Sequence, residues 1–405
     1  MRLAVYALTR GALTASLVSV AAREGEVATR APCLRASAIA RNMSIAAETW
    51  VPDEKQNAPE PILPKDYDPV LCLRREKIEF SFGGHKFHVD SVIQDTHPQG
   101  SNVGTVVAVH GSPGSHKDFK YVTPLLKESG IRFIGINFPG YGHTEGENFG
   151  FNAQFLGAVD LFLFCEIQFM FLGNCDERLI QDNTERVAYV QAVIDHLELK
   201  RNLVFLGHSR GTENALKMAA LNSEKTVGLV NANFIGIRTH QGIKPTWIID
   251  FADFLWQLGW TRWFLRPILF YAYNNILKLR VPNPEVAAWS LSGMVPWKVD
   301  LPGQEVFVDK LNRSGVKSLL VYAGKDPLIE PEISKQFVEL FDGNVHFESD
   351  TKAIDDEAVR RQVIKSLEAG SRSVAVYFKN EDHFLQKHQA RLLVEGICTM
   401  LAKEQ

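Results

Sequence analysis

The residues best suited to chemistry lie in a short segment bounded by glycines, residues 207–211, which reads Gly-His-Ser-Arg-Gly. An apolar run at 202–206 precedes this segment, and a helical pattern at 212–221 follows it. Glycines on both sides of a serine allow a tight turn from strand to helix, and such a turn holds the hydroxyl away from the backbone. The start of the helix favours negative charge beside the turn. We therefore predict that Ser209 is a nucleophile.

A serine is a poor nucleophile at neutral pH unless a base takes its proton. In strand–turn–helix sites of this kind, an acid and then a histidine follow the serine along the chain. Asp326 comes just after an apolar run at 319–323, and His383 comes just after the last apolar run, at 373–378. We predict that His383 is the general base and that Asp326 orients it. Asp382 is a poor alternative to Asp326 as the orienting acid, because it directly precedes His383 and the side chains of adjacent residues diverge.

Negative charge that develops on a substrate oxygen has to be stabilised by backbone N–H groups. One predicted donor is the amide of Arg210, directly after the serine. The second is expected from the loop at 110–114, which reads His-Gly-Ser-Pro-Gly and follows an early apolar run. Ser112 is the best-placed residue in that loop. His116 lies nearby, but it precedes Ser209 in the chain and is interpreted as part of the loop structure.

These residues sit in a regular alternation of strands and helices. Two amphipathic runs, 77–82 and 86–94, flank a Gly-Gly pair and predict an antiparallel hairpin. Further strands are predicted at the short apolar runs 103–109, 131–137, 202–206, 226–233, 316–322 and 373–378. Helices are predicted at 184–199, 212–221, 331–340 and 388–402. The alternation predicts an α/β fold with a mostly parallel central sheet and helices on both faces.

Residues 236–300 interrupt this alternation and hold six of the seven tryptophans. The segment is too long for a plain loop, so we predict an inserted helical lid. Trp256, Trp260 and Trp263 have the spacing of one helical face. Two interpretations of this face stay open. It forms the lid's own core, or it lines an apolar substrate pocket together with Tyr271.

A second interruption, residues 155–172, is almost entirely apolar apart from Asp160 and Glu166. Its length approaches that of a membrane span, but two carboxylates make a span costly, so no transmembrane span is expected. A buried or lid-packing helix is favoured. A family-specific insertion and an error in the gene prediction are the alternatives.

The N-terminal segment, residues 1–49, differs from the remainder in composition. Residues 1–43 contain six arginines and only two acidic residues, which is typical of a mitochondrial transit peptide. A secretory signal and a plain disordered tail are the alternatives, so a mitochondrial location is expected over a cytoplasmic or secreted one. Five prolines punctuate residues 50–76 and predict a linker. The catalytic core is then predicted to comprise residues 77–235 and 301–405.

Composition excludes several classes of function. A net charge of −3 provides no general basic field, so no nucleic-acid partner is expected. Five scattered cysteines without a CxxC pair argue against a zinc ribbon or a disulfide framework. The sequence contains no HExxH, P-loop or dinucleotide fingerprint, and we expect neither a metal nor an organic cofactor.

From residue 103 to residue 401 the chain resembles α/β-hydrolases of the AB hydrolase-1 type. The elements HGSPGS, NFPGYGHT, GHSRG, YAGKDPLIE and EDHF occur in that family's order. HGSPGSHKDF, NFPGYG and GIRTHQGIKP are most similar to an uncharacterised hydrolase-fold family best represented in nematodes. The resemblance implies no substrate, and it implies a complete set of catalytic residues: Ser209, Asp326 and His383 as triad, with Ser112 and Arg210 as oxyanion donors. The chain departs from the pattern in its long spacing between Asp326 and His383, and in Asp382, where glycine is common.

These residues lead us to expect a serine hydrolase that cleaves an ester, thioester or related acyl bond through an acyl-enzyme. Its expected substrate is a small apolar acyl or aromatic compound, and peripheral contact with a membrane stays open. Carbon–carbon bond hydrolysis on the same triad is one alternative, and a hydrolase-fold protein that only binds a ligand is another. Dehalogenase and epoxide hydrolase activities are disfavoured, because they need a carboxylate where Ser209 stands.

Overall fold

A computed structural model describes residues 67–68, 70–144, 181–351 and 355–402. The expected targeting segment, most of the linker and the apolar segment at 155–172 lie outside these residues. The described chain contains one sheet of nine strands in the order β1-β2-β4-β3-β5-β6-β7-β9-β8. The strands are β1 (Leu73–Phe82), β2 (His85–Asp95), β3 (Thr105–Val109), β4 (Arg132–Ile136), β5 (Leu203–His208), β6 (Thr226–Ala232), β7 (Lys317–Ala323), β8 (Val345–Ser349) and β9 (Ser373–Phe378).

Seven of the strands, β3 to β9, pair in parallel, and the β1–β2 hairpin joins them through an antiparallel pairing of β2 with β4. Helices surround the sheet: α1 (Thr123–Glu128), α2 (Asn183–His196), α3 (Gly211–Leu221), α4 (Thr246–Gln257), α5 (Arg262–Tyr271), α6 (Pro284–Gly293), α7 (Pro296–Val299), α8 (Gln304–Asn312), α9 (Pro331–Val338), α10 (Glu357–Glu368) and α11 (Ala390–Leu401). The predicted α/β fold with a mostly parallel sheet is confirmed.

Two apolar cores form because successive side chains on a strand point to opposite faces. In β3, Val107 and Val109 join one core together with Val190 of α2. Val106 and Ala108 join the other core, which includes residues of α10 and α11. Strands that are apolar at every position therefore require helices on both faces, and the structure supplies them.

The hairpin is attached to the parallel sheet by a short pairing and a buried ion pair. Only Gln94 and Asp95 of β2 pair with β4. The Asp95 carboxylate accepts hydrogen bonds from Arg132 Nε at 3.0 Å and Nη2 at 2.8 Å. Arg74 of β1 donates to the same carboxylate at 3.0 Å. One buried carboxylate thus connects β1, β2 and β4.

Between β6 and β7 the chain leaves the sheet and forms α4 to α8. The sequence placed three tryptophans on one helical face there, and that prediction is wrong. Helix α4 ends at Gln257, and Gly259 then adopts a φ of +70°, which terminates the helix. As a result Trp256 belongs to α4, while Trp260 lies in the turn before α5.

The sequence missed strand β8, which lies at the edge of the sheet. Its residues alternate between partly buried and exposed positions, so Val345–Ser349 has no continuous apolar run. This strand and helix α10 account for the long spacing between Asp326 and His383. Strand β8 extends the sheet beyond β9 and α10 packs on one face of it, while β7 and β9 remain neighbours in the sheet.

The ion pair of Asp95 gives a direct test of how the hairpin is held. Asp95→Ala leaves Arg132 and Arg74 without their shared carboxylate, and breaking a buried pair in this way costs about 3–5 kcal/mol. We expect urea unfolding followed by circular dichroism to show a loss of that size in the free energy of unfolding. The control is Glu79→Ala on the same hairpin, which removes an exposed pair with His88. Glu79→Ala should lower the free energy of unfolding by less than about 0.5 kcal/mol. Equal losses in the two variants would contradict the role of Asp95.

Candidate active site

Ser209 stands at a strained turn between β5 and α3. Its φ is +52°, a left-handed conformation that is unfavourable for a serine. Glycine is required on both sides of this turn, because a side chain at either position would clash with neighbouring atoms. A Cβ on Gly207 would lie 2.6 Å from Thr212 Cα, and a Cβ on Gly211 would lie 2.2 Å from the carbonyl oxygen of Val109. The predicted elbow is therefore present, and it holds the Ser209 hydroxyl above the carboxyl end of the sheet.

The structure brings together the three residues that the sequence selected. His383 Nε2 lies 3.0 Å from Ser209 Oγ, and His383 Nδ1 lies 2.7 Å from Asp326 Oδ2. The other carboxylate oxygen of Asp326 accepts the amides of Leu328 at 2.8 Å and Ile329 at 3.1 Å. Because a carboxylate only accepts, the Nδ1 atom carries the proton and Nε2 is free to receive the proton of Ser209.

The loop after β3 packs directly against the serine. A Cβ on Gly111 would lie 3.1 Å from Ser209 Cβ and 3.5 Å from its Oγ. Ser112, the next residue, is held through its hydroxyl, which lies 3.1 Å from the hydroxyl of Tyr141. Neither the Ser112 amide nor the Arg210 amide donates a hydrogen bond to another backbone group of the described residues. The two predicted donors therefore lie in residues next to this contact, since Arg210 follows Ser209 and Ser112 follows Gly111.

A second histidine, His208, connects the loops that carry these groups. Its Nδ1 lies 3.2 Å from Asp118 Oδ2, and its Nε2 lies 2.9 Å from the carbonyl oxygen of His383. Asp118 also accepts the amide of Gly111 at 3.2 Å. Burial alone would raise the pKa of the Asp118 carboxyl, but the hydrogen bond and charge of His208, together with His110 and the Gly111 amide, hold that pKa below its ordinary value. Sequence reasoning missed both residues, although His208 lies within the elbow motif itself.

The side chain of Arg210 belongs to a buried ionic network. It pairs with Glu213, donates to the carbonyl of Gly293 at 3.1 Å and reaches the carbonyl of Lys298 at 3.4 Å. Lys217 lies 3.1 Å from Glu213. Burial raises the pKa of the Glu213 carboxyl despite these two cations. The sequence predicted a role only for the Arg210 amide, and its side chain ties the elbow to the inserted helices.

Other histidines close to the motifs hold loops in place. His116 lies 3.1 Å from Asn137 Oδ1 through its Nδ1, as expected of a structural residue. His110 accepts the amide of Phe138 through Nε2 at 3.2 Å and donates from Nδ1 to the carbonyl of Gly111 at 2.7 Å. Burial lowers the pKa of His110 to about 3, so this ring is neutral near pH 7.

Comparison with known proteins identifies the family of this chain. The model of the alpha/beta hydrolases of unknown function (DUF1057) matches residues 73–154 and 174–402. The chain belongs to this family. The two matched ranges pass over the apolar segment at 155–172. An uncharacterised protein of Caenorhabditis elegans is 31% identical over 319 residues, which cover 76% of this chain and 80% of that protein.

The chain is also similar to solved structures at low sequence identity. An ancestral haloalkane dehalogenase has a TM-score of 0.50 at 15% identity, covering 81% of this chain and 98% of that chain. A thermophilic esterase from Thermogutta terrifontis has a TM-score of 0.47 at 15% identity, covering 80% of this chain and 96% of that chain. The expected resemblance to α/β-hydrolases is confirmed at the level of family and fold.

The aromatic residues predicted to line a substrate pocket are not gathered in one. Trp260, Trp263 and Tyr271 are 63%, 74% and 61% exposed. Only Trp256 is buried, and the guanidinium of Arg262 lies 5.3 Å from its ring centroid. With this exposure the three rings form no enclosed wall among the described residues, and the turn at Gly259 separates Trp256 from Trp260 and Trp263.

Two further findings apply to the part of the chain that the structure describes. Its residues include no group of three or more His, Cys, Asp and Glu side chains arranged to hold a metal ion. None of its helices combines the length and the apolar character that crossing a bilayer requires.

The pKa of Asp118 predicts how stability depends on pH. Because its pKa is depressed in the folded state, the carboxylate stabilises the fold above pH 4, and this contribution is lost as the pH falls through the folded value. Asp118→Asn should lower the free energy of unfolding by about 1–3 kcal/mol at pH 7. The difference from the parent should shrink when urea unfolding is repeated at about pH 3. Asp90→Asn, at an exposed position on β2, should change little at either pH; a difference that does not vary with pH would contradict the ionised state of Asp118.

Proposed function

We propose that the chain is a serine hydrolase that cleaves an ester, thioester or related acyl bond. The observation that carries the proposal is the hydrogen-bonded chain from Ser209 Oγ through His383 to Asp326. In this reaction the Ser209 oxygen attacks the acyl carbon while its proton moves to His383 Nε2. The imidazolium that forms is stabilised by the Asp326 carboxylate on its other side.

Formation of the acyl-enzyme and its hydrolysis use the same groups. His383 returns its proton to the leaving oxygen or sulfur, and the acyl group stays on Ser209. A water molecule then attacks the acyl-enzyme as His383 accepts its proton, and the protonated base finally restores the Ser209 hydroxyl. In both tetrahedral intermediates the amides of Ser112 and Arg210 are proposed to donate to the oxyanion. Losing one such donor typically costs ~10²–10³ in rate.

The site's surroundings favour an apolar acyl or aromatic group of moderate size. Helix α6 lies over the oxyanion loop, because the Ser112 hydroxyl is 3.4 Å from the carbonyl of Ser290 and Arg210 holds the carbonyl of Gly293. This helix is rich in buried apolar residues, among them Ala287 and Leu291. We propose that α6, instead of the exposed tryptophans, provides the wall that contacts the acyl group.

The first test is of the nucleophile. Ser209→Ala should abolish both labelling by a fluorophosphonate probe and hydrolysis of a p-nitrophenyl acyl ester, since losing a triad serine costs ~10⁶ in turnover. Ser129→Ala changes a partly buried serine at the end of α1 and should leave both unchanged. A folded parent that neither reacts with the probe nor turns over esters would favour a protein that only binds its ligand. Labelling that survives in Ser209→Ala would place the nucleophile elsewhere.

The second test is of cooperation within the triad. Asp326→Asn should reduce kcat by ~10⁴ and His383→Ala by ~10⁵–10⁶, because each leaves Ser209 without an oriented base. The double variant should be little slower than His383→Ala alone, since residues that act as one unit are not additive. Steady-state kinetics on the same ester measures all four proteins. Full multiplication of the two losses would show that one of these residues acts outside the triad.

A further inference from the structure

The inserted helices display an unusual concentration of exposed aromatic side chains. Six of them lie on α4, on α5 and in the turn between: Trp247, Phe251, Phe254, Trp260, Trp263 and Tyr271. Each is between 56% and 74% exposed. We call these six residues the aromatic face. A ring of this kind offers about 150–250 Å², so the exposed apolar area amounts to several hundred square ångströms.

The aromatic face is distinct from the side of these helices that packs on the protein. Trp256 of α4 and Leu265 and Leu269 of α5 are buried and belong to the main apolar core. On α4, Trp247, Phe251 and Phe254 have the spacing of a single stripe. Both helices are therefore apolar on two sides, and among the residues that the structure describes only one side packs on the core. The two helices contact each other, and exposed apolar area of this extent marks an interaction surface.

Charge around the aromatic face points to the chemistry of its partner. Residues 244–285 contain five basic and three acidic side chains. Two of the basic side chains are paired, Lys244 with Glu330 and Arg266 with Glu285, and the acidic Asp253 is buried 3.3 Å from Lys298. The exposed charges are then one carboxylate on α4, Asp250, and two cations, Lys278 and Arg280, just after the π-helical turn Ala272–Ile276 that follows α5. Exposed aromatic rings with an excess of Lys and Arg on the same helices and the segment that follows them suit the boundary between water and an anionic lipid surface.

We propose that the aromatic face docks the protein onto a bilayer that contains anionic phospholipid. The six rings enter the headgroup region, and Lys278 and Arg280 contact lipid phosphates. The helices lie on the membrane surface in the manner of an interfacial amphipathic segment. Docking itself does not depend on the proposed hydrolase activity. If that activity holds, docking brings α6 and the elbow close to a surface in which apolar acyl substrates concentrate.

Flotation with phospholipid vesicles tests the proposal on the full chain. The vesicles contain phosphatidylcholine with about 30% phosphatidylglycerol, and pure phosphatidylcholine vesicles provide the comparison. We expect the parent to float with the anionic vesicles. Trp260→Ser/Trp263→Ser should lower its partition coefficient about tenfold or more, since two exposed rings no longer enter the lipid. Lys278→Gln/Arg280→Gln should lower binding to the anionic vesicles and leave the weaker binding to phosphatidylcholine unchanged.

Controls separate docking from general stickiness and from catalysis. Tyr121→Ser/Val306→Ser removes two exposed apolar side chains outside the aromatic face and should bind vesicles like the parent. Ser209→Ala should also bind like the parent, so failure of the hydrolase proposal would not alter this result. Thermal unfolding of each variant shows that a loss of binding is not a loss of fold.

Three outcomes would overturn the proposal. In the first, the parent stays in the soluble fraction with both kinds of vesicle and is monomeric, so the aromatic face has no lipid partner. In the second, the aromatic-face variants float as well as the parent. In the third, light scattering shows a parent dimer that Trp260→Ser/Trp263→Ser converts to monomer while vesicles bind neither, which assigns the face to a second copy of the chain.

Discussion

The candidate site depends on how closely the elbow approaches the end of β3. A Cβ on Gly211 would lie 2.2 Å and 2.5 Å from the carbonyl oxygens of Val109 and His110. Only glycine permits this contact, and the contact brings the loop with Gly111 against the Ser209 side chain. The strained φ of Ser209 is maintained by the same packing. The position of the Ser209 hydroxyl and that of the loop at 110–114 therefore follow from a single constraint.

Buried polar groups then lock separate segments to the elbow, because unpaired charges inside a protein are costly. On one side, Asp118 and His208 join the loop at 110–114 to the backbone of His383. On the other side, Arg210 and Glu213 join the elbow to the inserted helices. Residues next to Ser209 in the chain thus position groups that are remote in sequence. Such networks specify one arrangement, since each member needs its partners to be satisfied.

The inserted helices differ from the core strands in how their apolar sides are covered. Core strands are apolar at every position because both faces are covered, and each face meets a helix layer. Helices α4 and α5 are also apolar on two sides, but among the described residues only one side is covered. Apolar composition alone cannot distinguish a buried side from a docking side. Of the four aromatic side chains expected to line a pocket, Trp260, Trp263 and Tyr271 are exposed and Trp256 is part of the core.

The sequence by itself determined the alternation of strands and helices, the elbow, and the order of Ser209, Asp326 and His383, because these depend on local periodicity and on residues required at tight turns. The tertiary structure decided which groups meet across long separations. Asp118 and Glu213 carry no local signal of their roles, since a buried carboxylate is recognisable only from the partners that surround it. Strand β8 was missed because an edge strand needs no continuous apolar run. The single helical face expected of Trp256, Trp260 and Trp263 was likewise broken by one turn at Gly259, a change of backbone conformation that their spacing in the sequence does not reveal.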